Sequence, residues 1–229
     1  MLIHNIDLLL DNPLSFFFLV VLVGLSVVSA ISVHEFSHSF IAHKLGDSTS
    51  KHLGRMTLNP KAHLDPLGTI LFFTVGFGWG KPVPVDIRAL NNGQKSMATV
   101  ALAGPCSNIL TAFLLGIPFK LNLLPLTLGA ITALPHWGIA DLVAIALQSM
   151  IFLNMLLAIF NLIPLFPLDG SKIVVALLPR AMSTQFLRLE RFGPVLLLGI
   201  IILEYTTGLG LLSKIILPIV NRLASLAIT

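Results

Sequence analysis

Charged side chains are scarce in this chain, and the scarcity excludes most soluble folds. Lys and Arg together number 14 and Asp and Glu 10, so 10% of the residues are charged while 55% are hydrophobic. A soluble domain carries about 25% charged residues. With a mean hydropathy of +0.94, the chain reads as an integral membrane protein. A net charge of +4 does not mark a nucleic-acid binder. No such partner is expected, and the basic residues are read as loop topology against the lipid bilayer. Cysteine is nearly missing too: Cys106 stands alone, which excludes an intrachain disulfide. The first ten residues lack a basic n-region, and no small-residue cleavage site follows before the first apolar run, so a cleavable signal is not expected. Internal repeats, low-complexity tracts and flexible linkers are also absent from the sequence. The length of 229 residues suits one integral-membrane domain over 1–229, without space for a sizeable soluble one.

What is present is a series of apolar runs separated by short polar stretches. Several are long enough to cross the ~30 Å hydrocarbon core. Spans are expected at about 14–42, 96–119, 138–162, 193–205 and 208–220, which makes the fold an all-α polytopic bundle. The first run would be about 43 Å long if wholly helical, enough to cross and protrude. The segments 44–65, 81–95 and 172–191 carry a positive excess and should lie on the cytoplasmic side, while 120–138, with one Lys and no Arg, should lie outside. The apolar stretch 66–80 then has cytoplasmic loops on both sides. It is short and broken by Gly68, Gly76, Gly78 and Gly80. Irregular backbone at membrane depth must be buried in protein or line a wet cavity, so 66–80 is expected as a re-entrant or β-like element near the cytoplasmic face.

Against this background one carboxylate stands out. Glu35 is the only charged residue between Asp11 and Lys44, and it lies in the run Val33-His34-Glu35-Phe36-Ser37-His38. An ionised group at the bilayer centre costs about 2.5–3.5 kcal/mol on insertion scales. On a helix His34 and His38 are i and i+4 and share a face. That spacing lets both imidazoles reach one zinc at ~2.0–2.1 Å. Glu35 then lies beside the metal without ligating it, in position to take a proton from a zinc-activated water. Asp169 is the candidate third ligand. It is one of two acids between Lys120 and Lys172, and the other, Asp141, falls near the predicted outer surface. Pro164 and Pro167 break the helix before it, and Gly170 permits a close turn. Two imidazoles and one carboxylate leave a fourth position open, the pattern of a catalytic zinc. Each residue alone has a structural alternative. The histidines could pack a helix end, Asp169 could cap the helix that follows, and Asn161 could satisfy backbone freed by Pro164. At matching depth in a chain so poor in charge, the metal reading prevails.

These residues resemble the site-2 protease family of intramembrane zinc metalloproteases. His34-Glu35-Phe36-Ser37-His38, followed by Lys44-Leu45-Gly46-Asp47, looks like the first family motif. Asn161-Leu162-Ile163-Pro164 with Pro167-Leu168-Asp169-Gly170 looks like the second. Between them, Gly54-Arg55-Met56-Thr57-Leu58-Asn59-Pro60, His63-Leu64-Asp65-Pro66, Gly80-Lys81-Pro82-Val83-Pro84-Val85 and Ala103-Gly104-Pro105 with Asn108 are similar to stretches of compact prokaryotic members. The resemblance implies a single peptidase domain with one Zn2+ held by His34, His38 and Asp169. It implies Glu35 as general base and acid, and Asn161 as a donor to the oxyanion. It also implies a multi-pass protein of the cell membrane, with its site near the cytoplasmic face and a membrane protein or signal-peptide-like segment as substrate. PDZ or nucleotide-sensing domains, frequent in the family, have no space here.

A transmembrane substrate has its peptide bonds shielded within a helix, so it must unwind locally, and the segment 66–85 could pair with it by edge addition. Two rival functions belong to other classes. A divalent-cation transporter would also place His and Asp in membrane helices, but here no acidic residue continues a path through the outer half. An inactive membrane-protein-binding scaffold would have no use for an intact Glu35. His43 is read as interfacial, His63 as a loop hydrogen-bonder, and Asn108 as a helix-packing contact. Trp79 and Trp137 are read as interfacial anchors; His4, His52 and His136 carry no assignment.

Overall fold

The computed structural model describes residues 6–75, 78–126, 138–208 and 210–229. His4, His136, Trp137 and most of the connector expected outside lie beyond the described residues. About 75% of the described residues are helical. The chain starts with a short helix α1 (Ile6–Asp11) and the long helix α2 (Pro13–Lys44). Asn12 caps α2 by accepting a hydrogen bond from the Ser15 N–H at 3.1 Å, and Pro13 occupies the first turn, where its missing N–H costs nothing. Past Lys44 the chain turns through Gly46 at φ 109°, a conformation that favours glycine. Two further long helices follow, α5 (Gln94–Lys120) and α6 (Ile139–Asn161). Among the described residues, α2, α5 and α6 are the three helices long and apolar enough to cross a membrane.

The segments between and after them form shorter helices: α3 (Thr49–His52), α4 (Pro66–Val75), α7 (Asp169–Leu177), α8 (Arg180–Leu187), α9 (Gly193–Thr207) and α10 (Leu211–Ile228). α5 is the central helix and packs against α2, α6, α7 and α10. Small residues let these helices approach closely, since apolar side chains gain little from one another in lipid. Ala112, Ala144 and Ala158 are buried in the core with Ile151, Met155 and Val220. At Gly116 a Cβ would lie 1.9 Å from the Ala227 carbonyl oxygen of α10.

The structure adds detail to two expectations. The last two spans were placed at 193–205 and 208–220, but α9 has 15 residues and α10 runs on to Ile228. At ~1.5 Å per residue α9 is about 22 Å long, short of the ~30 Å core. α10 continues past Arg222 because Ala227 is buried against α5. The expected re-entrant or β-like element is largely helical, as α4. Its two ends nevertheless meet, where Leu64 and Gly80 form an isolated antiparallel bridge. A Cβ on Gly68 would sit 2.1 Å from the Trp79 carbonyl oxygen, and one on Gly78 would sit 2.0 Å from that of Gly68. The excursion therefore leaves and returns at one place, closed by glycines.

From Gly80 the chain runs as a strap along the end of α2. The Lys81 N–H donates to the His63 carbonyl at 2.7 Å, the Val83 N–H to Glu35 Oε2 at 3.1 Å, and the Asp86 N–H to Asp47 Oδ2 at 2.8 Å. Asp47 is fully buried and also accepts from the Thr49 N–H at 2.9 Å. Burial alone would raise its carboxyl. The hydroxyl and N–H of Thr49 and the N–H of Asp86 outweigh that and hold it below the usual carboxylate range.

Candidate metal centre

α2 presents His34 and His38 one turn apart, both buried. The rings meet edge to face, with centroids 4.6 Å apart and planes at 86°. The second nitrogen of each is anchored on α5: Nδ1 of His38 lies 2.7 Å from the Val100 carbonyl, and Nδ1 of His34 lies 2.6 Å from Asn108 Oδ1. Both Nε2 atoms therefore face away from α5's anchors toward one point.

Asp169 is delivered to that point by the break after α6. The chain turns through Ile163 to Leu168, with the Leu165 N–H bonded to the Ile163 carbonyl and the Leu168 N–H to the Leu165 carbonyl, both at 2.8 Å. Gly170 lies against the end of α6, where a Cβ would come within 2.3 Å of the Leu162 carbonyl oxygen and 2.4 Å of that of Ile163. Only glycine permits this approach, so Asp169 opens α7 buried against α2. Its Oδ2 lies 3.1 Å from His34 Nε2 and 3.0 Å from His38 Nε2, while Oδ1 accepts from Lys172 Nζ at 3.0 Å.

The arrangement fits a zinc ion on two counts. The three donor atoms lie within 4.8 Å of one another, and the carboxylate–imidazole separations approach the edge of about 3.3 Å that a tetrahedron of ~2.0–2.1 Å bonds requires. Space is also kept open beside them. A Cβ on Gly104 of α5 would stand 2.5 Å from His38 Nε2 and 2.6 Å from His34 Nε2, so a single methyl would intrude on the donors.

The other anticipated residues fall in different surroundings. Glu35 is half-buried, and its Oε2 is held by the Val83 N–H. Asn161, the last residue of α6, donates from Nδ2 to its own helix at the Leu157 carbonyl, 3.0 Å away. His43 bonds to Ser48 and Lys51, and His63 is buried with Nε2 donating to the Thr57 carbonyl at 2.7 Å. Asn108, read from sequence as a packing contact, also touches a ligand. Gly104 was not assigned a place at the metal. Their common signal is spacing: residues 104 and 108 are i and i+4 in the uncharged stretch 96–119 of α5 and share a face.

A buried His–His–carboxylate group inside a bundle of membrane-length helices defines a helical membrane metalloprotein. The family model for "Peptidase family M50" matches residues 125–203, a range that includes Asp169 and Asn161 but not the histidine pair. The chain is 36% identical over 198 residues to YwhC of Bacillus subtilis (strain 168), which carries a provisional zinc metalloprotease name; the match covers 86% of this chain and 84% of that protein. It is 31% identical over 168 residues to Rip2 of Mycolicibacterium smegmatis, and 30% identical over 165 residues to Rip2 of Mycobacterium tuberculosis (strain ATCC 25618 / H37Rv). Both are likewise provisionally named zinc metalloproteases, with 69% of this chain and 58% of each relative covered. No solved structure matches. The chain belongs to Peptidase family M50, the site-2 protease family, and its cofactor is Zn2+.

Proposed function

We propose that this protein is an intramembrane endopeptidase that hydrolyses peptide bonds in or near transmembrane helices. The observation that carries the reading is the convergence of His34 Nε2, His38 Nε2 and Asp169 Oδ2, with Glu35 on the same turn of α2. These three atoms would hold the zinc. When bound, Zn2+ polarises a carbonyl and makes water acidic enough to attack near neutral pH. Glu35 takes the proton of the attacking water on a carboxylate oxygen and passes it to the leaving amine. The Val83 N–H orients that carboxylate through Oε2, and a carboxylate keeps a second oxygen for the proton. Asn161 stands at the end of α6, and in the proposed role its Nδ2 leaves the Leu157 carbonyl to donate to the developing oxyanion.

The substrate is a membrane protein or signal-peptide-like segment whose helix opens locally. Edge pairing of that opened strand with the segment 66–85 is part of the same reading; along the strap it would run mainly through carbonyl acceptors, since Pro82 and Pro84 have no N–H and those of Lys81 and Val83 are taken by His63 and Glu35. The basic loops 44–65, 81–95 and 172–191 favour a cell-membrane protein with the site near the cytoplasmic face. The decisive experiment replaces Glu35 by Gln and follows a transmembrane reporter incubated with the purified protein. Cleavage should cease while about one zinc per chain is retained. Cleavage by E35Q at the native rate overturns the assignment.

A further inference from the structure

The two zinc-facing imidazoles are held in different ways. His38 Nδ1 meets a main-chain carbonyl, that of Val100. A carbonyl oxygen only accepts, so His38 Nδ1 carries the proton and Nε2 offers its lone pair. His34 Nδ1 meets a side-chain amide, Asn108 Oδ1, at 2.6 Å. A carboxamide can turn over and present its NH2 instead, which would reverse the tautomer and put an N–H where the metal belongs. Something must keep the Asn108 amide facing one way.

That something is on α6, which supplies no ligand. Asn154 Nδ2 donates to the Met150 carbonyl of its own helix at 2.8 Å, so its oxygen faces α5. Asn108 Nδ2 donates both to that oxygen at 2.8 Å and to the Ala30 carbonyl of α2 at 3.0 Å. With both N–H groups engaged, only Oδ1 remains to face His34. Asn108 and Asn154 are fully buried. A reversed amide would therefore set oxygen against oxygen with no water to relieve it, at the cost of unsatisfied buried polar groups.

We propose that Asn154 is a positioning residue for the metal: through Asn108 it fixes which nitrogen of His34 bears the proton, so that Nε2 is committed to zinc. The proposal rests on His34 being a zinc ligand. Its role also predicts which replacement is tolerated. A buried, neutral aspartic acid at 154 keeps an oxygen toward Asn108 and an O–H toward Met150, and so reproduces the pattern.

The test uses the full-length chain purified in detergent, with zinc affinity measured by chelator competition. Imidazole 15N shifts are recorded at alkaline pH on zinc-free chains that also carry D169A, because the Asp169 carboxylate, 3.1 Å from His34 Nε2, would otherwise hold a proton on that nitrogen; His34 is identified by the signal lost in H34Q. Outer partners of metal-bound histidines are worth about 10–100-fold in affinity. N108A is expected to lie in that range and N154A about tenfold below native, whereas N154D should stay within about threefold. His34 should be a single Nδ1–H tautomer in the native chain and N154D, and a mixture in N154A. If N154A is not recovered folded, N154L, which fills the space and also lacks the acceptor, is read in its place. Native affinity or a single Nδ1–H tautomer in the acceptor-less variant overturns the proposal, as does N154D binding zinc no better than that variant. Failure of the underlying zinc reading looks different: the native chain would take up no stoichiometric zinc, or H34Q would keep it.

Discussion

The metal-bearing end of the bundle and its closing helix α9 solve opposite problems. Around His34, His38 and Asp169 the buried residues are polar, and each is answered by a named partner: Val100 and Asn108 on α5 and Asn154 on α6 across helices, and Lys172 within α7 itself. On α9, apart from the buried Leu197, most side chains are apolar and exposed, with Val195, Leu198 and Ile202 all at least half accessible. α9 packs chiefly on the turn before it and is tied to the start of α10 by a hydrogen bond from the Ser213 N–H to Glu204 Oε1. In a membrane the second arrangement is satisfied by lipid alone. The first has to be satisfied by protein, group by group, because hydrocarbon offers no partner. Substitutions should therefore be costly at one end and nearly silent at the other.

The largest effect is expected at Asp169. Asp169→Ala removes one of three donors and leaves Lys172 without its partner. Zinc affinity should fall by at least about a thousandfold, a loss of roughly 4 of the 10–16 kcal/mol typical of a protein zinc site. Metal analysis after dialysis against a chelator checks this. Zinc retained at one per chain would mean that the carboxylate is not a ligand.

Next is Gly104→Ala. In an ordinary helix interior this change is favourable by about 1 kcal/mol. Here the new methyl would come within 2.6 Å of both Nε2 atoms. The expected outcome is a helix at least as stable as native, judged by thermal unfolding in detergent, with zinc affinity reduced about tenfold or more. An unchanged affinity would show that α5 can retreat from the ligands, and would blur the contrast between a crowded site and a tolerant periphery.

Much of this end was legible from residue types alone. Three long apolar runs read as α2, α5 and α6. In a chain with so few acids, a histidine pair at helical spacing and a carboxylate at a double-proline break left few alternatives. The amide chain from Asn154 to Asn108 was not legible. An asparagine in a membrane helix satisfies itself equally well on a neighbour or on its own backbone, and only the register between helices decides. Gly104 was obscured for the same reason, since a glycine's importance lies in what faces it. That α10 runs beyond the expected span to Ile228 was not legible, because Arg222 lowers the hydropathy there without interrupting the helix. The strap at 80–86 carries no periodicity to read, because it is held by Glu35, Asp47 and His63 rather than by a sheet.

Asp47 offers a smaller and pH-dependent effect. Its carboxylate holds the Asp86 and Thr49 N–H groups. In Asp47→Asn one of these N–H groups would face an amide NH2, at a cost of about 1–3 kcal/mol. The sign of the pH dependence follows from the depressed carboxyl. A group that titrates lower in the folded protein than its unfolded value near ~3.9 adds stability above that value, and the contribution is lost as pH falls through the folded value. The native protein should thus lose thermal stability more steeply than D47N on acidification below about pH 4. Melting curves in detergent at pH 6 and pH 3 should show the gap between the two narrowing. A constant gap would mean that Asp47 holds the strap by shape rather than by charge.

The smallest effect belongs to α9, and it is the most direct way to break the comparison. Leu198 is half exposed, so Leu198→Ala leaves no cavity in the protein. Losses of 2–5 kcal/mol on truncating a leucine arise when surrounding atoms cannot fill the gap, and lipid or detergent fills this one freely. The expected change in stability is therefore within about 0.5 kcal/mol, as for surface positions generally, with zinc affinity and reporter cleavage unchanged. Substituting Val195, Leu198 and Ile202 together by alanine should remain a small, additive effect, because all three are at least half exposed. A loss of several kcal/mol in that triple variant would require a protein surface, rather than acyl chains, against α9. The division between an end satisfied by protein and an end satisfied by lipid would then fail where it is drawn most sharply.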